Sequence, residues 1–459
     1  MMLRALGLAL LLVFSIQTAA VAAPQPGVRA SYAAAIRGTD NHIDAAATIA
    51  RLQAMNANTY AYLVLRDTDW GDLQSAFAAA AQAAGITLWI YLVPPSECPP
   101  DTTCSGYLPY KKDYAAWGRA IATLAVQYPV VKAWAIDDFN ANSGFFTPAY
   151  TGQIRAAARA ISPTLDLYPV VYYTALTQSF VDSYGSVIDS VIFPYRDDPL
   201  RNTQWTGTLR AQLDTVSQRL ATKGRKPILM VYATTLSNTV LPPDVAYVRT
   251  LTTIGMQYTA AGTIAGVIQY ALPLTPGRPL GANQSHGSGL GALVFTVRAD
   301  QATTAGSYAA AVATVRLNSG STSCRMVLWH SDNRQTSSPI GYHIKQAIVG
   351  GTLVWQRDVA SEETAWYTSA PLELAPYFSN GAAALTLRLW EKAGVSNYHV
   401  TVRFDDITLT GCSVSNPTFE TAGGWTLSRG GNGGVLGSVY TYDPAYSTTV
   451  LNAVAQLYQ

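Results

Sequence analysis

Between residues 28 and 273, short apolar runs rich in β-branched and aromatic residues alternate with alanine-rich stretches of helical length. The strand-like runs are VRASYAAAI, NTYAYLVL, TLWIYLVP, VVKAWAID, LDLYPVVYY, VIDSVIFPY, KPILMVYA and GVIQYA. Helical stretches include 72–84, 112–127, 147–161, 205–222 and 243–259. Apolar strands that recur once per helix length predict parallel βαβ units. Eight of them predict a closed (β/α)8 TIM barrel over residues 28–274 rather than an open doubly wound sheet. No glycine-rich phosphate loop follows any strand, which argues against nucleotide binding.

The pattern changes after TPGRPLGANQSHGSGLG (275–291), a linker by composition. AAVATVRLN, CRMVLWHS, YHIKQAIVG, TLVWQRDVA, AALTLRLWE and YHVTVRFDDITLTG alternate with turns and contain no helical run. They predict an antiparallel β-sandwich of jelly-roll type over 292–413, carbohydrate-binding-like. The stretch 414–459 reads as the opening of a second sandwich or as an extension packed on the first, being too short to bury a core alone.

The opening residues predict a compartment. MMLR, the apolar run ALGLALLLVFSI and the small residues from Thr18 to Ala23 form a secretory signal peptide over 1–23. That run is too short for a membrane span, and no later segment predicts stable membrane insertion. The expected location is secreted, extracellular or periplasmic. Four cysteines suit it, and the economical pairing is Cys98 with Cys104 and Cys324 with Cys412.

Charged residues make up only 13% of the chain, and 30 basic against 28 acidic residues leave a net charge of +2. Nucleic acid has no basic surface to bind here. A weakly charged surface suits a neutral polymer, so the expected partner is a polysaccharide or glycoconjugate. Nothing in the sequence sets an oligomeric state.

In such a barrel the reactive groups stand at strand C-termini. Those ends offer Arg37, then Arg66, Asp67, Asp69 and Trp70, then Tyr91, then Asp137, Asp138 and Asn140. Beyond them come Tyr172, Tyr173, Tyr195, Arg196, Asp197, Asp198, Tyr232, Gln269 and Tyr270. Carboxylates perform glycosidic acid–base work and aromatic rings stack on sugar faces. Before residue 362 the only glutamate is Glu97, beside the Cys98–Cys104 loop. A barrel glycosidase with glutamates on its fourth and seventh strands is therefore excluded. His42 is the only histidine in the barrel, so Ser–His–Asp and metal hydrolysis lack parts, and no catalytic cofactor is expected.

That leaves Asp137 and Asp138 in KAWAIDDFN as the catalytic candidates. Two adjacent carboxyls repel when both are ionised, so one should hold its proton near neutral pH. Strand neighbours point to opposite faces, and both can serve one site only if the chain turns at Asp138. The structural alternative is a pair that caps a helix or binds arginine. Tyr172, Tyr173, Arg66, Asp67, Asn140, Tyr195, Asp197, Tyr232 and Gln269 are the substrate-binding candidates, with only one of Tyr172 and Tyr173 able to face inward. Asp197 could equally shape a turn, Arg66 and Asp67 a solvated loop, and Glu97 an exposed loop or a lid.

Over roughly residues 50–175 the chain resembles family 84 glycoside hydrolases, substrate-assisted β-N-acetylglucosaminidases. The likeness lies in the Asp-Asp-hydrophobic end of the fourth strand, MNANTYAY (55–62) in the second, and WIYLVPPS in the third. The resemblance implies that Asp137 orients a 2-acetamido group whose oxygen attacks the anomeric carbon. It implies that Asp138 protonates the leaving oxygen and that Tyr172 or Tyr173 contacts the acetamido group. The chain departs from the family at Arg66, where the family has lysine, and at MVYATT, where it has Trp-Asp-Asn.

The expected function is therefore a secreted, retaining glycoside hydrolase. The rivals are an endo-glycosidase on glycans without amino sugars and a non-catalytic glycan-binding or wall-associated protein. In the sandwich, Asp405 and Asp406 are candidates for a structural Ca²⁺. Trp329, Trp355, Trp366 and Trp390 are candidates for a sugar platform, set against ordinary core packing.

Overall fold

The computed structural model describes residues 27–98, 108–235, 241–297, 302–333, 340–359, 365–394, 399–432 and 434–459. Residues 1–23, read as a signal peptide, and Cys104 lie outside them. The chain folds as a (β/α)8 barrel together with an antiparallel β-sandwich. The barrel strands are β1 (Val28–Tyr32), β2 (Thr59–Val64), β3 (Thr87–Leu92), β4 (Val131–Ile136), β5 (Asp166–Pro169), β6 (Val191–Tyr195), β7 (Pro227–Tyr232) and β8 (Gly266–Tyr270). They form one parallel sheet in the order β5-β4-β3-β2-β1-β8-β7-β6. The two free edges meet at a parallel bridge between Val170 and Ile192, where Val171 N–H donates to Ile192 O at 3.0 Å.

Helices follow the strands: α1 (Ala45–Ala54), then α2 (Asp69–Asp72) and α3 (Ala78–Ala84) joined through a π-turn, α4 (Tyr114–Gln127), α5 (Pro148–Arg159), α6 (Gln178–Tyr184), α7 (Leu209–Ala221) and α8 (Val245–Ala260). Asp44, Asp113, Thr147, Thr177 and Asp244 start α1, α4, α5, α6 and α8, each accepting from the backbone N–H three residues on. These caps satisfy donors that a helix start leaves unpaired.

Alternation along the strands divides two cores. Ala30, Ala61, Trp89, Tyr91, Ala133, Ala135, Ile192, Ile228, Met230 and Ile268 fill the interior. Their neighbours Leu88, Ile90, Trp134, Ile136, Phe193, Leu229 and Val267 pack outward against the helices. The β1–β8 seam is tight: a Cβ on Gly266 would stand 2.1 Å from Val28 O, so only glycine fits.

No helix follows β8 directly. The chain passes instead into the sandwich, whose strands are β9 (Gly291–Val297), β10 (Tyr308–Leu317), β11 (Arg325–Asp332), β12 (His343–Val349), β13 (Thr352–Asp358), β14 (Tyr367–Thr368), β15 (Leu372–Glu373), β16 (Ala382–Glu391), β17 (Val400–Thr410), β18 (Cys412–Ser413), β19 (Thr426–Gly430) and β20 (Val435–Thr441). Among the described residues they make two six-stranded sheets, ordered β13-β12-β16-β10-β18 and β14-β11-β17-β9-β20, with β19 on β10 and β15 on β11. Cys324, just ahead of β11, is bridged to Cys412 in β18, so the disulfide joins the two sheets across 88 residues of chain. Cys98 is also disulfide-bonded.

Within residues 414–459, β19 and β20 add a strand to each sheet of the one sandwich. The chain then forms α9 (Tyr446–Leu457), which packs beside α8 on the barrel. Tyr446, Val450, Leu451, Val454 and Tyr458 are buried in the outer barrel core. Tyr458 Oη lies 3.0 Å from Ala30 O on β1 and 3.2 Å from Val267 O on β8, and Asn56 Nδ2 donates to Ala455 O at 2.9 Å. α9 therefore occupies the place of the eighth barrel helix, and the sandwich is inserted between β8 and its own helix. Among the described residues no helix is long and apolar enough to cross a membrane.

The sandwich docks on the loops after β6 and β7. Leu200 and Leu241 from those loops are buried with Ala292, Val294, Leu436 and Tyr440 of β9 and β20.

Candidate active site

The strand pattern that fills the barrel also aims its mouth. On β4, Ala133 and Ala135 point inward, so the next residue in phase, Asp137, faces the axis. Asp138 is out of phase, but its backbone is left-handed (φ 40°, ψ 36°), a turn that Asp tolerates better than most residues. That turn brings both carboxyls to one cleft of about 280 Å³, lined by Glu97, Asp137, Asp138, Asn140, Ala141, Val170, Tyr172, Arg196, Arg201, Met230, Tyr232 and Tyr270.

Burial is the main force on Asp137, and the neighbouring charges of Asp138 and Glu97 add to it, pushing its pKa up to about 7. The Asp138 N–H, donating to Asp137 Oδ1 at 2.9 Å, opposes the shift. The buried Tyr91 hydroxyl also favours the charged form, although its geometry falls outside a regular hydrogen bond. Asp137 therefore titrates close to neutrality.

Asp138 is gripped from β5. Tyr168 on β5 and Val170 and Tyr172 just past its end lie on alternate positions, and Tyr172 Oη donates to Asp138 Oδ1 at 2.6 Å. Asn140 Oδ1 accepts from Tyr172 N at 3.1 Å, which fixes the base of that tyrosine. The Arg196 guanidinium sits 3.7 Å above the Tyr172 ring, and its Nε donates to Asp198 Oδ1 at 2.8 Å. Below the pair, Tyr32 stacks on Tyr91 at 4.1 Å and packs against Tyr270 at 5.2 Å, while Tyr232 meets Tyr270 edge-on at 4.8 Å. The result is a carboxylic acid over an aromatic floor, with a cation behind one wall.

Of the sequence candidates, Asp137, Asp138, Asn140, Tyr172 and Tyr232 meet at this cleft. Six others do not. Tyr173 is out of phase with Tyr172 and packs towards Phe193. Tyr195 is buried on the outer face of β6, with its hydroxyl on Trp205 O and Thr208 Oγ1 at 2.8 and 2.9 Å. Gln269 likewise faces outward, donating to Thr252 Oγ1 at 2.9 Å and Tyr458 Oη at 3.3 Å. Asp197 is buried, accepting from Thr208 Oγ1 at 2.7 Å and pairing with Arg429 of β19 at 2.9 Å, so it fastens the sandwich to the barrel. Arg66 and Asp67 are exposed; Arg66 bonds Asn41 Oδ1 at 2.6 Å, while the turn beside them is held by Asp69, which accepts from Leu65 N and Arg66 N and pairs with Arg37. The cleft residues that the sequence reading did not name are Ala141, Val170, Arg201 and Met230, and Glu97, read as an exposed loop or lid residue, lines the cleft too. Met230 could have been found by stepping two residues from Ile228 along β7.

In the sandwich, Asp405 Oδ2 accepts from His286 N at 2.7 Å and Asp406 Oδ2 bonds His286 Nδ1 at 2.6 Å. His286 stacks on Trp329 at 3.9 Å, so the acids hold the linker in place. Among the described residues no group of three or more His, Cys, Asp or Glu side chains is placed to hold a metal. Trp355 packs near His330 and Phe404, and Trp390 lies beside Arg388.

No family model matches this chain, and no curated protein matches it. Among solved structures it is similar to a glucosidase from Croceicoccus marinus, with 11% identity, a TM-score of 0.39, and 83% of this chain and 96% of that one covered. It is also similar to β-glucuronidase 2 of Bacteroides uniformis (8%, TM-score 0.41, 83% and 65%). A third likeness is to xylanase A of P. fluorescens subsp. cellulosa (14%, TM-score 0.36, 54% and 87%). Likeness at this level carries no chemistry, which the cleft itself must supply.

Proposed function

We propose that this protein is a secreted glycoside hydrolase acting on an extracellular polysaccharide or glycoconjugate. The observation that carries the reading is Asp137: a carboxyl at the mouth of the barrel whose pKa is pushed up to about 7 by burial and two neighbouring acids. A group in that state can hand a proton to a glycosidic oxygen at neutral pH. The assignment moves the acid role from Asp138, where the family 84 resemblance puts it, to Asp137. Tyr270, half-buried on the cleft wall, offers an aromatic surface of the kind a pyranose ring stacks on. The Cys324–Cys412 disulfide suits an oxidising compartment.

A second reading is favoured by the contact between Tyr172 and Asp138. If the substrate carries a 2-acetamido group, Asp138 and Tyr172 would orient it and its oxygen would attack, with retention of configuration. A panel of aryl glycosides with and without 2-acetamido groups tests both. Release from at least one glycoside is expected, and inhibition by an oxazoline mimic would single out the second reading. Glycan binding with no release across the panel would contradict both and leave a non-catalytic binding protein. Replacing Tyr172 with Phe removes a hydrogen bond to a carboxylate, of about 1.5–3 kcal/mol. A fall in kcat/KM of roughly 10- to 100-fold is expected, with the fold unchanged by circular dichroism.

A further inference from the structure

The cleft carries charges of both signs, sorted by strand. Glu97 follows β3, Asp137 and Asp138 follow β4, and Arg196 and Arg201 follow β6. β5 lies between the acidic and the basic side, and Tyr172, just past its end, touches both. Its hydroxyl donates to Asp138 Oδ1 at 2.6 Å, and the Arg196 guanidinium lies 3.7 Å from the centre of its ring. One phenol ring, about the size of a pyranose, therefore separates the cation from the aspartate.

Strand phase aims Arg196 at the axis. On β6 Ile192 points inward while Phe193 and Tyr195 point outward, so Arg196 falls in phase with the interior. Only 10% of its side chain is exposed, and it lines the cleft. A guanidinium donates from Nε and from both Nη atoms. Asp198 Oδ1 takes Nε at 2.8 Å, and Asp198 Oδ2 has no hydrogen-bond partner among the described residues. The counter-ion is thus held by a single bond and leaves the fork open. Among the described residues no group accepts from Nη1 or Nη2. These two atoms end the guanidinium with parallel N–H bonds that match the two oxygens of a carboxylate. Leaving such donors buried and unpaired is costly.

We propose that the cleft is built for a hexuronic acid, whose carboxylate Arg196 holds end-on through Nη1 and Nη2 while the glycosidic bond lies at Asp137 and Asp138. Arg201 adds a second positive charge on the same side. The proposal rests on the hydrolase reading and narrows it to glycuronides. The chain's weak overall charge suggested a neutral polymer; the cleft selects an anionic one.

The test uses the full chain and aryl glycosides that differ only at C6: the uronate, its methyl ester and the neutral hydroxymethyl sugar, in the gluco, galacto and manno series. The unaltered protein is expected to cleave one uronate with kcat/KM about 10²-fold or more above its ester and its neutral counterpart, because a site built to bond a group rejects analogues that lack it. Arg196→Lys keeps the charge and loses the fork, so uronate turnover should fall roughly 10- to 100-fold, with neutral-sugar turnover little changed. Equal loss on all three substrates would show that Arg196 only positions Tyr172, and would overturn the proposal. Faster cleavage of the ester or the neutral sugar by the unaltered protein would overturn it too, without any variant, and would leave the hydrolase reading standing. If no glycoside is cleaved, saturation-transfer NMR with methyl hexuronides separates the two claims. Binding that Arg196→Lys abolishes would uphold the anion site and end the hydrolase reading, and no binding would end both.

Discussion

Replacing Asp137 with Asn is expected to lower kcat on glycosides with poor leaving groups by about 10³-fold, within the range that general acids contribute. On glycosides with strongly acidic phenol leaving groups, which need no protonation, the loss should shrink towards tenfold. That split by leaving group distinguishes a lost proton donor from lost binding. The variant should also be more stable than the parent at alkaline pH. The Asp137 pKa is raised in the folded state to about 7 from the ordinary aspartate value of 3.8, so the folded chain binds the extra proton between those values. Its contribution to stability is therefore complete below about pH 4 and is lost as pH rises through about 7. Asn keeps an acceptor for the Asp138 N–H and carries no charge. Relative to its effect at pH 4, the substitution should gain on the order of 3 kcal/mol by pH 8. Urea unfolding at both pH values measures this. A variant equally affected at both would show that the carboxyl is not buried as described.

Deleting residues 443–459 is expected to abolish folding of the barrel, although they follow the sandwich in the chain. α9 covers the β8–β1 seam, and Tyr446, Val450, Leu451, Val454 and Tyr458 are all buried there. Large apolar side chains gain about 1.5–3 kcal/mol each on burial, and five of them approach the 5–15 kcal/mol that holds a domain together. The truncated chain should be insoluble or show no cooperative urea transition. Tyr458→Ala alone should cost about 3–5 kcal/mol. A soluble, cooperatively folding truncation would mean that the sandwich and everything after it are merely appended.

The chain's architecture was legible where its signals were local. Eight apolar strands at helix-length spacing specify the barrel, and period-2 runs after the linker specify the sandwich. The helix 446–457 is hidden in a reading of 414–459 as more sandwich, because two true strands, 426–430 and 435–441, precede it. Yet Tyr446, Val450, Leu451, Val454 and Tyr458 follow helical spacing, and the missing helix after β8 was the second clue. At the site, strand phase decided which end residues reach the cleft. Tyr173, Tyr195 and Gln269 lie one step out of phase with Tyr172, Arg196 and Tyr270, and a count along each strand separates them. Asp138 breaks that rule only through its left-handed turn. Contacts between distant parts of the chain were beyond local reading: Arg429 reaches Asp197 across 232 residues, and Asn142 reaches Ser96 across 46.

The pH dependence of kcat/KM for the best glycoside of the panel tests the central claim most directly, since it reports the ionisations of the free protein. A half-buried acid at the barrel mouth, its pKa pushed up to about 7, predicts an alkaline limb with a midpoint near pH 7, absent from Asp137→Asn assayed on an activated substrate. Activity that stays level to pH 9, or a limb that survives in that variant, would contradict it.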